Sequence, residues 1–261
     1  MEIQIKKAIK AGNSSAVILP RSWLDKEVRV EVIRKTSEMI LSDIIGILGH
    51  HIAIKEITGI YLVGSHARGE TDENSDIDIL VITKDIDRKT IHEGIYSILI
   101  ISQELLSQKI DTDLLPIGQM IKEAKPLLNA DYISKIKIDV TRANVEWYLK
   151  TTDDKLKLIR EVLDWAKNNN KKSVDAAVIY TLVLRIRTMQ IIRSLLNNKV
   201  YSKAELIRLI RSVSKSTEAY ESYISIKNDS PKKVSISVLE AERLWNYLNK
   251  ELSEIRKILV Y

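Results

Sequence analysis

The stretch from Leu62 to Ile82 decides the fold and reads LVGSHARGETDENSDIDILVI. An apolar run ends at Val63 and leads directly into Gly64. After a polar loop, a second run begins at Asp76, where polar and apolar residues alternate at the period of a β-strand before the run becomes wholly apolar. The stretch therefore predicts two buried strands joined by a polar loop.

Gly64 and Ser65 are predicted to form a phosphate-binding turn. Glycine lets the backbone approach a phosphate closely, because it has no Cβ. Ser65, at the start of a predicted short helix, offers a hydroxyl and an amide at the positive end of the helix dipole. The turn is therefore suited to hold the phosphates of a nucleotide.

Asp76 and Asp78 are predicted to bind metal. They are two residues apart on a strand, so both side chains leave the same face. Two neighbouring carboxylates repel each other unless cations bridge them, and hard oxygen ligands suit Mg²⁺. Two such ions would hold the attacking and leaving oxygens of a phosphoryl group in line. An acidic surface loop between two strands is the plainer interpretation of the same residues.

This segment resembles the DNA polymerase beta-like nucleotidyltransferase superfamily, whose signature is Gly-Ser, a spacer and Asp-x-Asp. The GSHARGE and SDIDILV segments are most similar to its small prokaryotic branch, the minimal nucleotidyltransferases, over roughly residues 38–140. The resemblance implies that Gly64 and Ser65 bind the nucleotide and that Asp76 and Asp78 are catalytic metal ligands. Arg68 is then available for a phosphate. His66 stands where the small members carry Arg, which leaves its role open.

The resemblance also implies a third catalytic carboxylate on a later strand. Residues 110–117 are predicted to form that strand, ended by Pro116. Asp113, which precedes two leucines, fits the third metal ligand best. Asp111 lies on the same face of the predicted strand and remains the alternative.

The implied reaction is nucleotidyl transfer. An enzyme of this kind moves a nucleoside monophosphate from an NTP, with ATP expected, to an acceptor hydroxyl and releases pyrophosphate with the help of Mg²⁺. The acceptor stays open among a small molecule, an RNA end and a protein side chain.

The length of the chain predicts more than one domain, and its predicted strands and helices indicate an α+β protein. The chain has 261 residues, of which 45% are hydrophobic and 29% charged, and it has no apolar run long enough to span a membrane. The start lacks a secretory signal, so we expect a cytoplasmic protein. The absence of cysteine excludes disulfides, thiolate zinc sites and cysteine nucleophiles. The predicted domains are a β-hairpin arm, 1–34; a nucleotidyltransferase α/β domain with a mixed sheet, 35–140; and an all-α helical domain, 141–261.

The N-terminal segment KAIKAGNSSAVILPRSWLDKEVRVEV resembles the AbrB and MazE-like swapped-hairpin domains, in which two copies form a DNA-binding barrel. The resemblance implies a homodimer. The alternation of Val28, Val30 and Val32 with charged residues predicts a closing strand at residues 28–32. An arm that only docks or dimerises is the alternative. Both ends of the chain are basic, which suits a polyanionic partner. Residues 1–34 contain seven Lys or Arg and four Asp or Glu, and residues 151–261 contain 21 Lys or Arg and 13 Asp or Glu. The candidate DNA contacts are Lys6, Lys7, Lys10, Arg21 and Arg29. The alternative function is therefore a DNA-binding regulator or antitoxin-like protein whose transferase domain modifies a partner protein.

The C-terminal region is predicted to be wholly helical. Helices are expected near 141–168, 173–197, 203–213, 217–227 and 235–259, from apolar residues spaced three and four apart. We expect these helices to form either a substrate-binding lid or a bundle like that of the HEPN proteins. HEPN ribonucleases use a histidine, and residues 141–261 contain none. Two further expectations concern its side chains. Arginines that could line an acceptor cleft are Arg185, Arg187, Arg193, Arg208 and Arg211, and the tryptophans expected in the core are Trp147, Trp165 and Trp245.

Overall fold

The computed structural model describes residues 4, 6, 8–30, 35–71, 75–228 and 236–260. Within these ranges, only the backbone of Arg88 and Lys89 is described. The chain divides into two compact units, Met1–Thr36 and Ser37–Tyr261. The observed architecture is mixed α+β, with a small hairpin in the first unit and a central mixed sheet and a helical region in the second. The predicted fold class is therefore confirmed.

The first unit contains a short antiparallel hairpin of β1 (Ile9–Ala11) and β2 (Ser14–Ala16). Gly12 adopts a φ of 62° in the two-residue turn, as the Gly-Asn sequence predicts. A turn of 3₁₀ helix follows at Arg21–Trp23. Residues 28–30 do not form the expected strand, while residues 31–34 and Lys7 lie outside the described part of the chain.

The second unit is built on a five-stranded sheet with the order β5-β6-β4-β3-β7. Neighbouring strands are antiparallel, except for β4 and β6, which run parallel. The strands are β3 (Ile57–Val63), β4 (Ile77–Thr83), β5 (Arg88–Glu93), β6 (Tyr96–Ser102) and β7 (Lys125–Leu128). The two apolar runs of the deciding segment are thus adjacent central strands.

Both faces of this sheet are covered, which explains the nearly continuous apolar sequence of its central strands. On one face Ile77, Ile79 and Val81 pack with the buried side of α1 (Ser37–Gly49). On the other face Leu80 and Ile82 pack with residues of three helices. These helices are α3 (Gln103–Thr112), α4 (Leu114–Glu123) and α5 (Ala130–Ser134), and the short α2 (Gly64–Arg68) follows β3.

The strand predicted at residues 110–117 is wrong, because this segment contains the end of α3 and the start of α4. Ser102 begins α3 as its N-cap, with Oγ accepting a hydrogen bond from the Leu105 amide at 3.1 Å. Pro116 lies in the first turn of α4, where a missing amide hydrogen breaks no helical hydrogen bond. β6 therefore leads directly into α3 at Ser102.

The five predicted helices of the C-terminal region are present, but the region is not wholly helical, because two short strands pair within it. Its helices are α6 (Arg142–Asn168), α7 (Ala176–Leu196), α8 (Lys203–Ser214), α9 (Glu218–Lys227) and α10 (Val238–Ile258), with a small pair of β8 (Ser173–Val174) and β9 (Ile236–Ser237). Capping boxes at Thr141 and Ser237 fix the starts of α6 and α10. Leu114 and Leu115 of α4 join the core of these helices. The boundary near residue 140 stays a prediction.

Within the described residues, no helix has both the length and the apolar character required to cross a membrane.

Candidate active site

Gly64 and Asp78 lie against each other at the ends of neighbouring strands. Asp78 is paired with Val63, the last residue of β3. Gly64 follows with a φ of 69°, and a Cβ placed on it would overlap the Asp78 carboxylate. A side chain at residue 64 is thus excluded both by the backbone conformation and by the neighbouring acid.

Asp76 and Asp78 form an acidic pair at this turn. Burial raises the pKa of Asp78, and the nearby charges of Asp76 and Glu123 raise it further, while Arg68 and His66 partly offset them. In the described residues no three His, Asp or Glu side chains gather into a group that could hold a metal ion. Two carboxylates nevertheless fit Mg²⁺, which commonly binds one or two carboxylates together with substrate phosphates and water.

Glu123 is a site residue that the sequence interpretation missed. It is buried at the end of α4. Its Oε1 accepts a hydrogen bond from the Gly64 amide at 2.6 Å, and its Oε2 accepts from Arg68 at 2.6 Å and from Gln119 at 3.1 Å. The Glu123 carboxylate therefore anchors the phosphate turn to the end of α4. An acid at the end of a helix is normally exposed, so the sequence carried no signal for this role.

Arg68, predicted to contact phosphate, lies between two carboxylates. Its guanidinium pairs with Glu70 at 2.8 Å and with Glu123 at 2.6 Å, and its side chain is only 12% exposed. In this arrangement Arg68 connects α2 to α4, and its contact with phosphate stays a prediction.

Glu70 extends these contacts to the helical region. Its Oε1 accepts hydrogen bonds from the Ser202 hydroxyl at 3.0 Å and from the Lys203 amide at 2.9 Å, at the start of α8. A carboxylate at this end of a helix is favoured by the free amides and the helix dipole. The chain from Glu123 through Arg68 to Glu70 thus joins the phosphate turn to α8.

The structure does not bring Asp111 or Asp113 to the acidic pair. Asp113 lies between α3 and α4, where Oδ1 accepts a hydrogen bond from the Tyr148 hydroxyl at 2.6 Å and Oδ2 pairs with Lys109. Glu123 is at the other end of α4, about 15 Å away for a ten-residue helix. Asp111 is an exposed residue of α3, far from the strand position predicted for it.

The strand position beside Asp78 is held by Ser97. In the parallel pairing of β4 and β6, Asp78 is the partner of Ser97. The family resemblance implies a third carboxylate on a strand later in the chain, and β6 is such a strand next to β4. At the position in register with Asp78, this chain has a hydroxyl in place of an acid.

Of the five predicted cleft arginines, Arg187 lies near Arg68, because both guanidinium groups lie over the ring of Tyr201. Arg193 pairs with Glu251 and Glu254, and the Arg187 guanidinium lies 5.8 Å from the centre of the Tyr201 ring. The remaining three arginines differ in exposure: Arg185 donates to Thr151 at 3.1 Å from a half-buried position, and Arg208 and Arg211 are exposed.

The expectation that the tryptophans are core residues is wrong for two of them. Trp147 and Trp165 are 63% and 58% exposed, because they lie on the outer side of α6. Trp245 packs on the helical core and donates to the Leu156 carbonyl oxygen at 2.8 Å.

The mixed sheet places the Gly-Ser turn against the Asp-x-Asp strand, which is the arrangement that the resemblance to the nucleotidyltransferases implies. Residues 44–202 match the model of the nucleotidyltransferase domain family, and the chain belongs to that family. It is accordingly an enzyme of the nucleotidyltransferase class. A comparison with curated proteins finds no match.

Two solved structures are similar to this chain. A nucleotidyltransferase-like protein from Exiguobacterium sibiricum is 15% identical, with a TM-score of 0.36, over 82% of this chain and 75% of that one. Spectinomycin adenyltransferase AAD(9) from Enterococcus faecialis, with ATP and spectinomycin, is 15% identical, with a TM-score of 0.44, over 82% of this chain and 98% of that one.

Proposed function

We propose that this enzyme transfers a nucleoside monophosphate from ATP to an acceptor hydroxyl and releases pyrophosphate, with Mg²⁺ held by Asp76 and Asp78. The observation that carries the proposal is the contact between Gly64 and the Asp78 carboxylate. It puts a backbone with no side chain next to the acidic pair, where phosphates and metal would meet.

Each part of the site has a separate task in this reaction. The turn at Gly64 and Ser65 binds the phosphates, and Asp76 with Asp78 holds Mg²⁺. Bound Mg²⁺ supplies positive charge against the charge that develops on the phosphoryl oxygens. Glu123 and Arg68 keep the turn in place. Residues 141–261 choose the acceptor, whose identity stays open among a small molecule, RNA and a protein.

The test is transfer of label from α-³²P-ATP in the presence of Mg²⁺ to three acceptor pools: small hydroxyl compounds, tRNA and cellular protein. We expect labelled product and pyrophosphate from the wild type, and neither from the double variant Asp76→Asn, Asp78→Asn. The matched control changes two exposed aspartates, Asp131→Asn and Asp154→Asn, and should keep full activity. Turnover that survives the Asp76, Asp78 double change would refute the proposal.

For the first unit, we propose a homodimer that binds DNA in the manner of the AbrB-like proteins that it resembles. Support comes from large apolar side chains that a single copy leaves exposed: Ile18 at 69%, Leu24 at 73% and Val30 at 68%. A second copy would bury them. The described candidate DNA contacts Lys6, Lys10, Arg21 and Arg29 are exposed as well. The protein would then act as a regulator or antitoxin-like protein besides its transferase activity.

The arm can be tested with the full chain and a chain lacking residues 1–34. We expect the full chain to sediment as a dimer and to shift the DNA upstream of its own gene, with an affinity that falls as salt rises. The shortened chain should be monomeric and should not bind. A double variant, Lys10→Ala with Arg21→Ala, should keep the dimer and lose DNA binding. A monomeric full chain that shows no DNA binding at low salt would contradict this proposal.

A further inference from the structure

A row of polar side chains crosses three adjacent strands at the acidic pair. Ser97 of β6 is the register partner of Asp78 on one side and of His92 on the other. Partners in a ladder share a face of the sheet. Their sequence neighbours agree, because Ile79, Ile98 and Ile91 all pack into the core on the opposite face.

The row places an imidazole near the acidic pair with only a small residue between them. Strands are about 4.8 Å apart, so the Cα atoms of His92 and Asp78 are about 10 Å apart. Ser97 is too small to fill the space between a carboxylate and an imidazole ring. His92 is exposed on the edge strand β5, so a ligand can reach it.

The geometry of in-line displacement indicates what the space beside Ser97 could hold. In an in-line displacement, the attacking and leaving oxygens are on opposite sides of the phosphorus. The phosphate turn at Gly64 follows Val63, which is paired with Asp78 on the side away from Ser97. With the pyrophosphate held at Gly64, the acceptor hydroxyl must therefore approach from the side of Ser97 and His92.

We propose that His92 is the general base that takes the proton from the acceptor hydroxyl. The acceptor oxygen forms a bond to the α-phosphorus of ATP, the bond from that phosphorus to the bridging oxygen breaks, and pyrophosphate leaves with the electron pair. The acceptor proton passes to a ring nitrogen of His92. This inference rests on the proposed transferase function and adds to it the base and the side of acceptor entry.

Three other groups in the described part of the chain are less suited to this task. His66 belongs to α2, on the phosphate side, and its Nε2 lies 3.3 Å from the Ser75 carbonyl oxygen. Glu123 is already bonded to Arg68 and the Gly64 amide. Glu93 is the partner of Tyr96, which packs on the opposite face.

The position of His92 can be tested without turnover. The chain has four histidines, His50, His51, His66 and His92, so their imidazole NMR signals can be assigned by single substitution. Mn²⁺ with a non-hydrolysable ATP analogue should broaden the signals of His92 and His66. It should affect His50 much less, because α1 packs on the opposite face of the sheet. A His92 signal that broadens no more than that of His50 would overturn the proposal.

The role of His92 is tested by kinetics with excess glycerol as the probe hydroxyl and pyrophosphate release as the readout. We expect His92→Ala and His92→Gln to lower kcat about 100-fold or more, which is the usual contribution of a general base, while affinity for the ATP analogue changes less than twofold. Added imidazole should restore part of the activity of His92→Ala and none of Asp78→Asn. His50→Gln is the matched control and should behave as the wild type.

The outcomes separate the two proposals. A His92→Ala variant that turns over at the wild-type rate would overturn the role of His92 and leave the transferase function standing. A wild type that binds the ATP analogue but transfers to neither glycerol nor any of the three acceptor pools would overturn both. A loss of analogue binding in both His92 variants would show a binding role and would also overturn the assignment as a base.

Discussion

Gly64 and Asp78 contact each other so closely that a methyl group on Gly64 would overlap the Asp78 carboxylate. The phosphate turn and the acidic pair are therefore one structural unit, although 14 positions separate these residues in the sequence. A change that moves either of them must move the other.

The first prediction concerns Gly64→Ala. The positive φ of residue 64 should cost about 1–2 kcal/mol for a residue with a Cβ, and the methyl group must also displace Asp78. We expect affinity for the ATP analogue with Mg²⁺ to fall at least about tenfold, equivalent to about 1.4 kcal/mol, as measured by calorimetry.

Gly69→Ala is the matched control for this change. Gly69 has nearly the same φ, 70°, but a Cβ there would meet no atom within 4 Å. It should lose similar stability and keep its affinity for the nucleotide. Equal affinity losses in the two variants would mean that the contact with Asp78 is not important for binding.

The second prediction concerns Glu123→Gln. The amide of glutamine would turn a hydrogen-bond donor towards Arg68 or Gly64, each of which needs an acceptor. Breaking a buried ion pair commonly costs about 3–5 kcal/mol, and we expect a loss near 3 kcal/mol in urea unfolding. The control is Glu146→Gln, which removes an exposed pair with Arg142 and should change stability by less than about 0.5 kcal/mol. Equal losses in both variants would contradict the role of Glu123.

Most of the fold could be predicted from the sequence because its signals are local. The apolar periodicity of α6 to α10 sets their faces, and the alternation at Asp76 and Asp78 marks the start of β4. The strand predicted at 110–117 was wrong because a short apolar run fits a strand and a buried helix equally well. Ser102 as a helix cap was the local signal that favoured helix α3.

The site was less predictable because part of it depends on contacts distant in sequence. Glu123 reaches Gly64 across 59 positions, and Glu70 reaches Ser202 across 132. No local pattern can indicate such pairs. The motif residues themselves were found because a strand, a turn and a second strand follow each other in the chain. Ser97 and His92 became visible only with the strand register.

The third prediction concerns the pH dependence of stability at Glu70. Burial alone would raise its pKa, but hydrogen bonds from Arg68, the Lys203 amide and the Ser202 hydroxyl outweigh burial and lower it. The unfolded chain therefore binds more protons than the folded one at acid pH. The stabilisation by Glu70 is present above its ordinary pKa of about 4.5 and is lost as the pH falls below it.

Thermal unfolding of the wild type and Glu70→Gln between pH 3 and pH 7 checks this linkage. The difference in Tm should be largest near pH 7 and should shrink as the pH falls through the range below about 4.5. Glu146→Gln serves again as the control and should show a small difference at every pH. A constant difference between wild type and Glu70→Gln across the range would show that Glu70 acts by packing and not by its charge.

The fourth prediction separates the acid that the structure places at the turn from the acid predicted as its third partner. Asp78→Asn should remove the stabilisation by Mn²⁺ with the ATP analogue. In EDTA the same variant should have a Tm about 2–4 °C higher than the wild type. The substitution removes a negative charge next to Asp76 and Glu123 and thereby about 1 kcal/mol of repulsion.

Asp113→Ala should give the opposite pattern. Tyr148 loses its acceptor, so unfolding free energy should fall by about 1 kcal/mol, while the shift in Tm with Mn²⁺ and the analogue should stay as in the wild type. Asp111→Ala, which changes an exposed residue of α3, should alter neither quantity. If Asp113→Ala abolished the metal-dependent shift, α4 would have to move by most of its length on nucleotide binding, and Glu123 could not then hold Gly64 during the reaction. The Asp113 variant therefore tests whether the described arrangement is the one that binds nucleotide.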